Sequence, residues 1–549
     1  MSLSQTTIET PAAGDGAPLG RRLSAGLAGL RVRLPGFLLG LSFPAVLLAL
    51  WWVSADQGWL PPQILPAPPL VWSSLAELWA SGQLAEHVGV SLWRVAVGFA
   101  GGAGFGLLLG AAAGLFPTFR AYVYPPVQAV SRVNVLAWMP LLALFLGIDE
   151  ALKCVVIAWS AAIPVFIGTE RGIAGTPSAL SELGDAFAFR AGDRLRLIVL
   201  PAALPSIFTG LREGLANAWQ TLVLAELFAS FEGLGYLMTW GRQLFQLDLV
   251  LIAMIVVSLL GLSLDTALGW VERRAQPWGR ETGAAGVVSS VPSRRPGGWL
   301  GGWDGRAVLA FAAVLVLWIA ARRFGWVDLR FLPSPLAIVE RFHAEITGGT
   351  ILADVAATLH RNILGFAIGA AVGLVLGSAL GVSRLFAAVV GPTVVAQRQT
   401  ALFAWVPLLA MWFGGNDVGK IAFISVAAFQ PIVINTWYGI AQVPAGYREL
   451  SAVLLFRRHD YIRLVALPAA LPSIFTGLHA GLIYAWLATV GSELFLNISS
   501  GLGGRLSEGS QLFQIDLLFL VILIFAAIGL VYNALAERAE ALLVRWKTR

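Results

Sequence analysis

The sequence predicts an all-α polytopic membrane protein with twelve transmembrane helices, arranged as two parallel six-helix repeats. Three observations carry this. The 549-residue chain is 57% hydrophobic and only 12% charged, about half the charged share of an ordinary soluble domain. Apolar runs long enough to cross a bilayer recur along it. Finally, Leu200 to Leu211 read LPAALPSIFTGL, and the same twelve letters return at Leu467 to Leu478.

The spans are expected near 36–54, 92–115, 122–147, 151–169, 205–230, 247–271, 305–324, 359–382, 388–414, 418–440, 472–497 and 515–536. Gly and Pro inside them are compatible with spanning helices, because neighbouring helices satisfy the backbone groups they free. Residues 1–35 are polar and Arg-bearing, no cleavable signal is visible, and the first apolar run reads as a retained span. Orientation follows from the basic residues. Segments facing one side hold 24 Lys and Arg, against six on the other, which places both termini in the cytoplasm. That basic juxtamembrane face also accounts for the formal charge of +6, too small and too one-sided to point to nucleic acid.

The repeat holds at a spacing of 267 positions. It pairs Arg94 with Arg361, Trp138 with Trp405, Lys153 with Lys420, Trp219 with Trp486 and Glu226 with Glu493, and slips by one before the two QLFQ segments, Gln243–Gln246 and Gln511–Gln514. Six spans is an even number, so the halves share one orientation and are related by an axis along the membrane normal. The expected organisation is a cytoplasmic tail over 1–35, a first six-helix unit over 36–272, a cytoplasmic linker over 273–304 rich in Gly, Pro, Ser and Arg, and a second unit over 305–549.

Most chemistry is excluded. A single cysteine, Cys154, rules out an intramolecular disulfide, and five scattered histidines offer no zinc constellation. Glu340, His343 and Glu345 are read as one face of an exposed helix rather than a metal cluster. The sole Gly-Lys, Gly419-Lys420, lacks the glycine spacing of a phosphate-binding loop. No nucleophile–base pair and no paired carboxylates within one span stand out. A driven transporter of this composition takes its work from an ion gradient or from a separate ATPase.

The long loop between the fourth and fifth spans of each half favours the ATPase. Its segment 182–200 reads ELGDAFAFRAGDRLRLIVL, with Leu183, Phe187, Ala191, Leu195 and Ile198 at three- and four-residue steps. That spacing predicts an amphipathic helix. Glu182 suits its positive end and Arg194 and Arg196 its last turn, and Pro201 and Pro205 are expected to stop it and turn the chain into the next span. Glu449 to Leu467 repeat the plan. One such helix is an ordinary interfacial loop; two at matched register form a pair of handles for a soluble motor.

At this loop the sequence resembles the permease subunits of ATP-binding-cassette importers, whose cytoplasmic signature runs E-A-A, three residues, G, a further spacer, then I-x-L-P. Glu182 with Ile198-Val199-Leu200-Pro201, and Glu449 with Val465-Ala466-Leu467-Pro468, hold its outer positions. Its centre departs, with Leu183-Gly184 and Leu450-Ser451 in place of the alanines, and Ala188 and Leu455 in place of the glycine. LPAP at Leu65, LPSP at Leu332, AWMPL at Ala137, AWVPL at Ala404 and GLGYL at Gly233 are similar to the nitrate, sulfonate, taurine and bicarbonate group. The resemblance covers 60–272 and 327–540.

It implies the type I importer transmembrane-domain fold, with two permease halves fused in one chain. It implies two cytoplasmic ABC ATPase subunits docked on loops 182–201 and 449–468, with Glu182, Arg190, Leu200, Pro201, Glu449, Arg457, Leu467 and Pro468 as the coupling residues. A soluble substrate-binding protein would deliver a small, anionic solute on the far side. The chain itself would be a transport component of the bacterial inner membrane and not an enzyme, binding no cofactor, with ATP and Mg²⁺ held by the partner subunits.

Candidates for the substrate path come from polar runs in the third spans, Ser131-Arg132-Val133-Asn134 and Gln397-Arg398-Gln399-Thr400. A charge deep in a span is costly unless it is paired or faces water, and guanidinium offers a planar donor fork to an oxyanion. Near the interface the same arginines would merely snorkel. Arg132 aligns with Gln399 and Arg398 with Ser131, so no symmetric site is implied. Trp138, Trp219, Gln220, Trp405 and Trp486 complete the set, the indoles being readable as packing residues too. Lys153 and Lys420 are expected to snorkel, Arg94 and Arg361 are ambiguous, and Glu226 and Glu493 suit gating, docking, capping or local pairing. The alternatives are a gradient-driven twelve-helix secondary transporter, which predicts no repeated loop, and a non-transporting scaffold or enzyme, which explains neither the loops nor the polar spans.

Overall fold

The computed structural model describes residues 39–59, 61–62, 64–131, 135–276, 305–326, 332–496 and 500–543, and these are helical throughout, without a strand. The first half runs α1 (Leu39–Asp56), α2 (Pro68–Ala80), α3 (Gln83–Leu115), α4 (Pro117–Ser131), α5 (Val135–Leu146), α6 (Glu150–Ala174), α7 (Ser178–Ala186), α8 (Ala191–Arg194), α9 (Leu200–Ala229), α10 (Leu234–Gln243) and α11 (Leu247–Ala275). The second repeats it: α12 (Gly305–Arg323), α13 (Pro335–Thr347), α14 (Thr350–Val382), α15 (Arg384–Gln399), α16 (Trp405–Phe413), α17 (Asp417–Ala441), α18 (Ala445–Val453), α19 (Arg458–Tyr461), α20 (Leu467–Phe495), α21 (Leu502–Gln511) and α22 (Ile515–Leu543).

Among the described residues, nine helices are long and apolar enough to cross a membrane, ten if α4 and α5 form one bent span. The chain is therefore a multi-pass membrane protein. Its count differs from the expected twelve at the seventh span, 305–324, where α12 is not among the nine, and at the third and ninth, 122–147 and 388–414. The last two are broken, into α4 and α5 and into α15 and α16, the second with one 3-10 turn over Leu402–Ala404. Prolines sit inside α4, α5 and α15, where each removes a backbone donor and loosens the helix. The second and eighth spans start earlier than expected, at Gln83 and Thr350, each after a left-handed glycine, Gly82 and Gly349. Their first turns are too polar for a hydropathy window to include.

In lipid, helices gain nothing from hiding apolar surface from one another, so close backbone approach holds them together. Every fourth residue of α3 against α6 is glycine: Gly98, Gly102, Gly106, Gly110 and Gly114. A Cβ on Gly102 would fall 2.2 Å from the Ala158 carbonyl oxygen. The stripe recurs on α14 against α17 as Gly365, Gly369, Gly373, Gly377 and Gly381.

The halves exchange their first helices. α12 lies against α4, while α1 brings Gly40 against Pro392 and Phe43 against the Val390–Val394 cluster of α15. The Trp51 indole donates to the Pro66 carbonyl at 2.8 Å, as Trp318 does to Pro333 at 3.0 Å. α5 packs on α20, α21 and α22, and α16 packs on α10 and α11. Phe228 and Phe495, at the ends of α9 and α20, meet edge-on with ring centroids 6.3 Å apart.

Candidate functional site

The loop between α6 and α9 is an elbow. α7 ends at Phe187, Ala188 takes a left-handed φ of 51°, and the Phe189 amide returns to the Gly184 carbonyl at 2.9 Å. This is the six-to-one closure that terminates a helix and reverses the chain. Arg190 then opens α8, and the Arg194 guanidinium bonds Asp185 at 2.9 Å, tying α8 back to α7. The second loop makes the same turn: Leu455 has φ 52° and the Phe456 amide bonds the Ser451 carbonyl at 3.0 Å.

This corrects the sequence reading in two ways. No single helix spans 182–200, because the break falls at Phe187–Arg190. Pro201 and Pro205 do not turn the chain: Ala191–Ala229 is one helical run of 39 residues, and His459–Phe495 in the second half is one of 37. A π-helical turn, Leu195–Val199 or Ile462–Ala466, leads straight into each proline. Its wider i→i+5 pattern shifts the hydrogen-bond register just ahead of a residue that has no N–H.

Glu182 and Glu449 stand on α7 and α18, exposed and without a hydrogen-bond or ion-pair partner among the described residues. Arg190 and Arg457 are exposed beside the turns. Leu200 and Leu467 are exposed too, and Pro201 and Pro468 half-buried. Around them lies apolar surface with no cover. Phe187 is 68% exposed and stacks on Phe189, with Leu183 beside them, and Leu455 is 86% exposed beside Leu450 and Leu454.

The path candidates separate. Arg132 and Asn134 lie outside the described residues, as does the side chain of Gln399. Trp138 and Trp405 are half-buried, and each indole N–H is buried without a partner among the described residues. Trp219 and Trp486 are buried and pack against neighbouring helices. The first presses on Gly261 of α11, and the second sits between Phe525 and Tyr532 of α22, at 5.4 and 5.3 Å. Gln220 and Arg398 both act on Tyr484, Gln220 from the opposite half. The Tyr484 hydroxyl bonds Gln220 and lies in the electrostatic field of Arg398 and Glu213. Ser258 donates to Thr400 nearby at 3.1 Å, again across the halves. Sequence reasoning missed Glu213 and Tyr484. The signal was present in the repeat: Glu213, Asn217 and Gln220 share one face of α9, while their mates on α20 are Ala480, Tyr484 and Leu487.

A buried ion cluster fixes each half. The Arg94 guanidinium bonds Glu226 at 2.8 Å, Glu150 at 2.6 Å and the Glu232 carbonyl at 2.7 Å. Glu226 also accepts from Ser91 and from the Gly235 amide, both at 2.8 Å. It thereby caps α10, whose Leu234 amide donates to Ser91. The second half rebuilds this with Arg361, Glu493, Asp417, Thr358 and the Gly503 amide. So Glu226 and Glu493 pair and cap. Lys153 does not snorkel: it is buried, with its ammonium 2.7 Å from Glu150, and Lys420 is buried likewise. Glu345 accepts from Thr350 and pairs with Arg341, and the described residues hold no metal-ligand grouping.

A duplicated helical body with crossed first helices, one polar cluster between its halves and two matching elbows on one face is the body of a membrane transporter. The chain belongs to the family of binding-protein-dependent transport system inner membrane components, whose pattern it matches twice, over residues 102–277 and 346–545. It is similar to proteins described as an aliphatic sulfonates transport permease of Bacillus subtilis (37% identical, over 44% of this chain and 88% of the relative) and the taurine transport system permease of Escherichia coli (31%, over 43% and 87%). A bicarbonate transport system permease of Synechococcus elongatus is 34% identical over 35% of this chain and 68% of its own length. The first two relatives align over most of their length with less than half of this chain. The chain is thus a transport component of an ATP-binding-cassette importer and not an enzyme.

Proposed function

We propose that the chain supplies the whole translocation path of an importer for a small oxyanion of the sulfonate, taurine, bicarbonate or nitrate kind. Two cytoplasmic ATPase subunits would grip loops 182–201 and 449–468, a soluble binding protein would load solute from the opposite side, and both termini would lie in the cytoplasm. ATP and Mg²⁺ belong to the partner subunits, with no cofactor on this chain.

The observation that carries this reading is the duplicated elbow. Phe187 and Leu455 expose apolar surface beside Glu182 and Glu449, which stand at matched register without a partner among the described residues, on a chain with no phosphate-binding loop of its own. Apolar surface rimmed by charge marks a protein contact. A rigid helical run of 39 residues then connects the elbow to the polar cluster, so a push on α7 displaces Gln220 and its neighbours. A gradient-driven carrier gives no reason for two such elbows. The test is copurification of the ATPase subunits with the tagged chain. Replacing Glu182 and Glu449 together, or Phe187 and Leu455 by aspartate, is expected to reduce it at least about tenfold. Undiminished recovery with both pairs of variants contradicts the docking surface.

A further inference from the structure

The two elbows differ at one place, and the difference makes a site. In the first half, the cytoplasmic ends of the helices beside the loop neutralise themselves. Buried Glu170 holds Arg120 at 2.6 Å, the Arg120 guanidinium lies 5.6 Å from the Tyr124 ring centre, and Arg194 pairs with Asp185. At the corresponding positions the second half has Trp437 for Glu170, Ala387 for Arg120, Ala452 for Asp185 and Tyr461 for Arg194. Both carboxylates are gone. Two new arginines appear, Arg384 where the first half has Pro117 and Arg448 where it has Ser181.

What remains there is a cavity of about 460 Å³, lined by both arginines, Trp437, Tyr461, Ile440 and Ala466. That volume is of ligand size. Among the described residues the Arg448 guanidinium bonds the Ala441 carbonyl and no other group, and Arg384 has no hydrogen-bond or ion-pair partner. Among those residues no carboxylate lines the cavity. Two uncompensated guanidinium groups beside an indole and aliphatic wall suit an oxyanion attached to an apolar group. The cavity lies between α18 and the membrane body, where an occupant would stiffen one elbow and not the other.

We propose that this cavity binds a phosphate-type oxyanion, supplied by an anionic lipid headgroup or by free phosphate, and so distinguishes the second coupling loop from the first. The test is native mass spectrometry of the full-length, delipidated chain in neutral detergent. The chain is titrated separately with phosphatidylglycerol, phosphatidylcholine and inorganic phosphate. The wild-type chain is expected to take up one anionic ligand more tightly than the rest. Arg384→Ala with Arg448→Ala weakens that step at least about tenfold, while Arg190→Ala with Arg196→Ala, an equal loss of charge on the first loop, leaves it unchanged, as does Arg196→Ala alone. Trp437→Glu, which restores the residue around which the first half folds, abolishes it. The arginine-to-lysine pair, which keeps the charge, retains most of it and shows that the elbow is intact. Uptake of phosphatidylglycerol but not phosphate assigns the site to lipid, and uptake of phosphate assigns it to a soluble anion. Equal binding by wild type, the Arg384/Arg448 alanine pair and Trp437→Glu, or an equal loss in the Arg190/Arg196 alanine pair, overturns the proposal.

Discussion

Ala188 and Leu455, 267 positions apart, adopt the same left-handed backbone conformation, at φ 51° and 52°. Each ends the first helix of one of the two matching loops and aims the next one back along it. A side chain with a Cβ is strained there by about 1–3 kcal/mol, and the fold keeps this strain at both copies. These are also the positions at which the importer signature carries glycine. The departure at the centre of the signature therefore changes the residue without changing the turn.

Glycine at either position is expected to be tolerated. The strain relieved and the backbone entropy lost nearly offset, leaving a net gain of up to about 1 kcal/mol. Ala188→Val should do the reverse, because a β-branched residue fits the left-handed region worst, with a loss of about 1–2 kcal/mol. Thermal unfolding of the purified chain reads both signs. A stabilising valine would show that the elbow is not strained as described.

The Arg94–Glu226 pair is buried; removing Arg94 leaves Glu226 without its counterion, and removing Glu226 leaves Arg94 with Glu150 alone as counterion. Arg94→Ala or Glu226→Ala is expected to cost about 3–5 kcal/mol, whereas Arg94→Met with Glu226→Leu recovers much of it. The same holds for Arg361 and Glu493. Chemical unfolding of the six variants in detergent checks this. Single variants no less stable than the double would mean that the cluster does not lock α3, α9 and α10.

Arg398 and Tyr484 face Gln220 and Glu213 across the halves. If this polar cluster contacts an oxyanion in transit, Arg398→Ala should lower the uptake rate at subsaturating solute about tenfold or more, with Arg398→Lys partly restoring it. Tyr484→Phe should have a smaller effect, about two- to tenfold. Initial rates in vesicles measure both. Unchanged uptake in Arg398→Ala places the path elsewhere.

Much of this was legible in the sequence because it was written twice. The span pattern, the shared orientation of the halves and the paired loops all follow from the 267-residue register, which no local irregularity obscures. The breaks in the third and ninth spans were not legible, since a hydropathy window averages across Thr400 and the prolines of α4 and α15. Pro201 misled for a related reason: proline marks a helix end unless a preceding π turn absorbs its missing donor, and nothing in LRLIV signals that turn. The burial of Trp219 and Trp486 was not legible, because indole chemistry does not reveal which face of α9 or α20 it occupies. Glu213 and Tyr484 were passed over because matched pairs were sought, and a substrate contact in a duplicated chain can lie where the copies differ.

The central claim is that solute moves through this chain only when an ATPase works its two elbows. The direct measurement is uptake of a radiolabelled sulfonate or bicarbonate by proteoliposomes, containing the chain alone or with its ATPase subunits and binding protein. The account predicts accumulation only with all components and ATP, abolished by the Phe187 and Leu455 aspartate variants. Accumulation by the chain alone, driven by an imposed proton or sodium gradient, contradicts it.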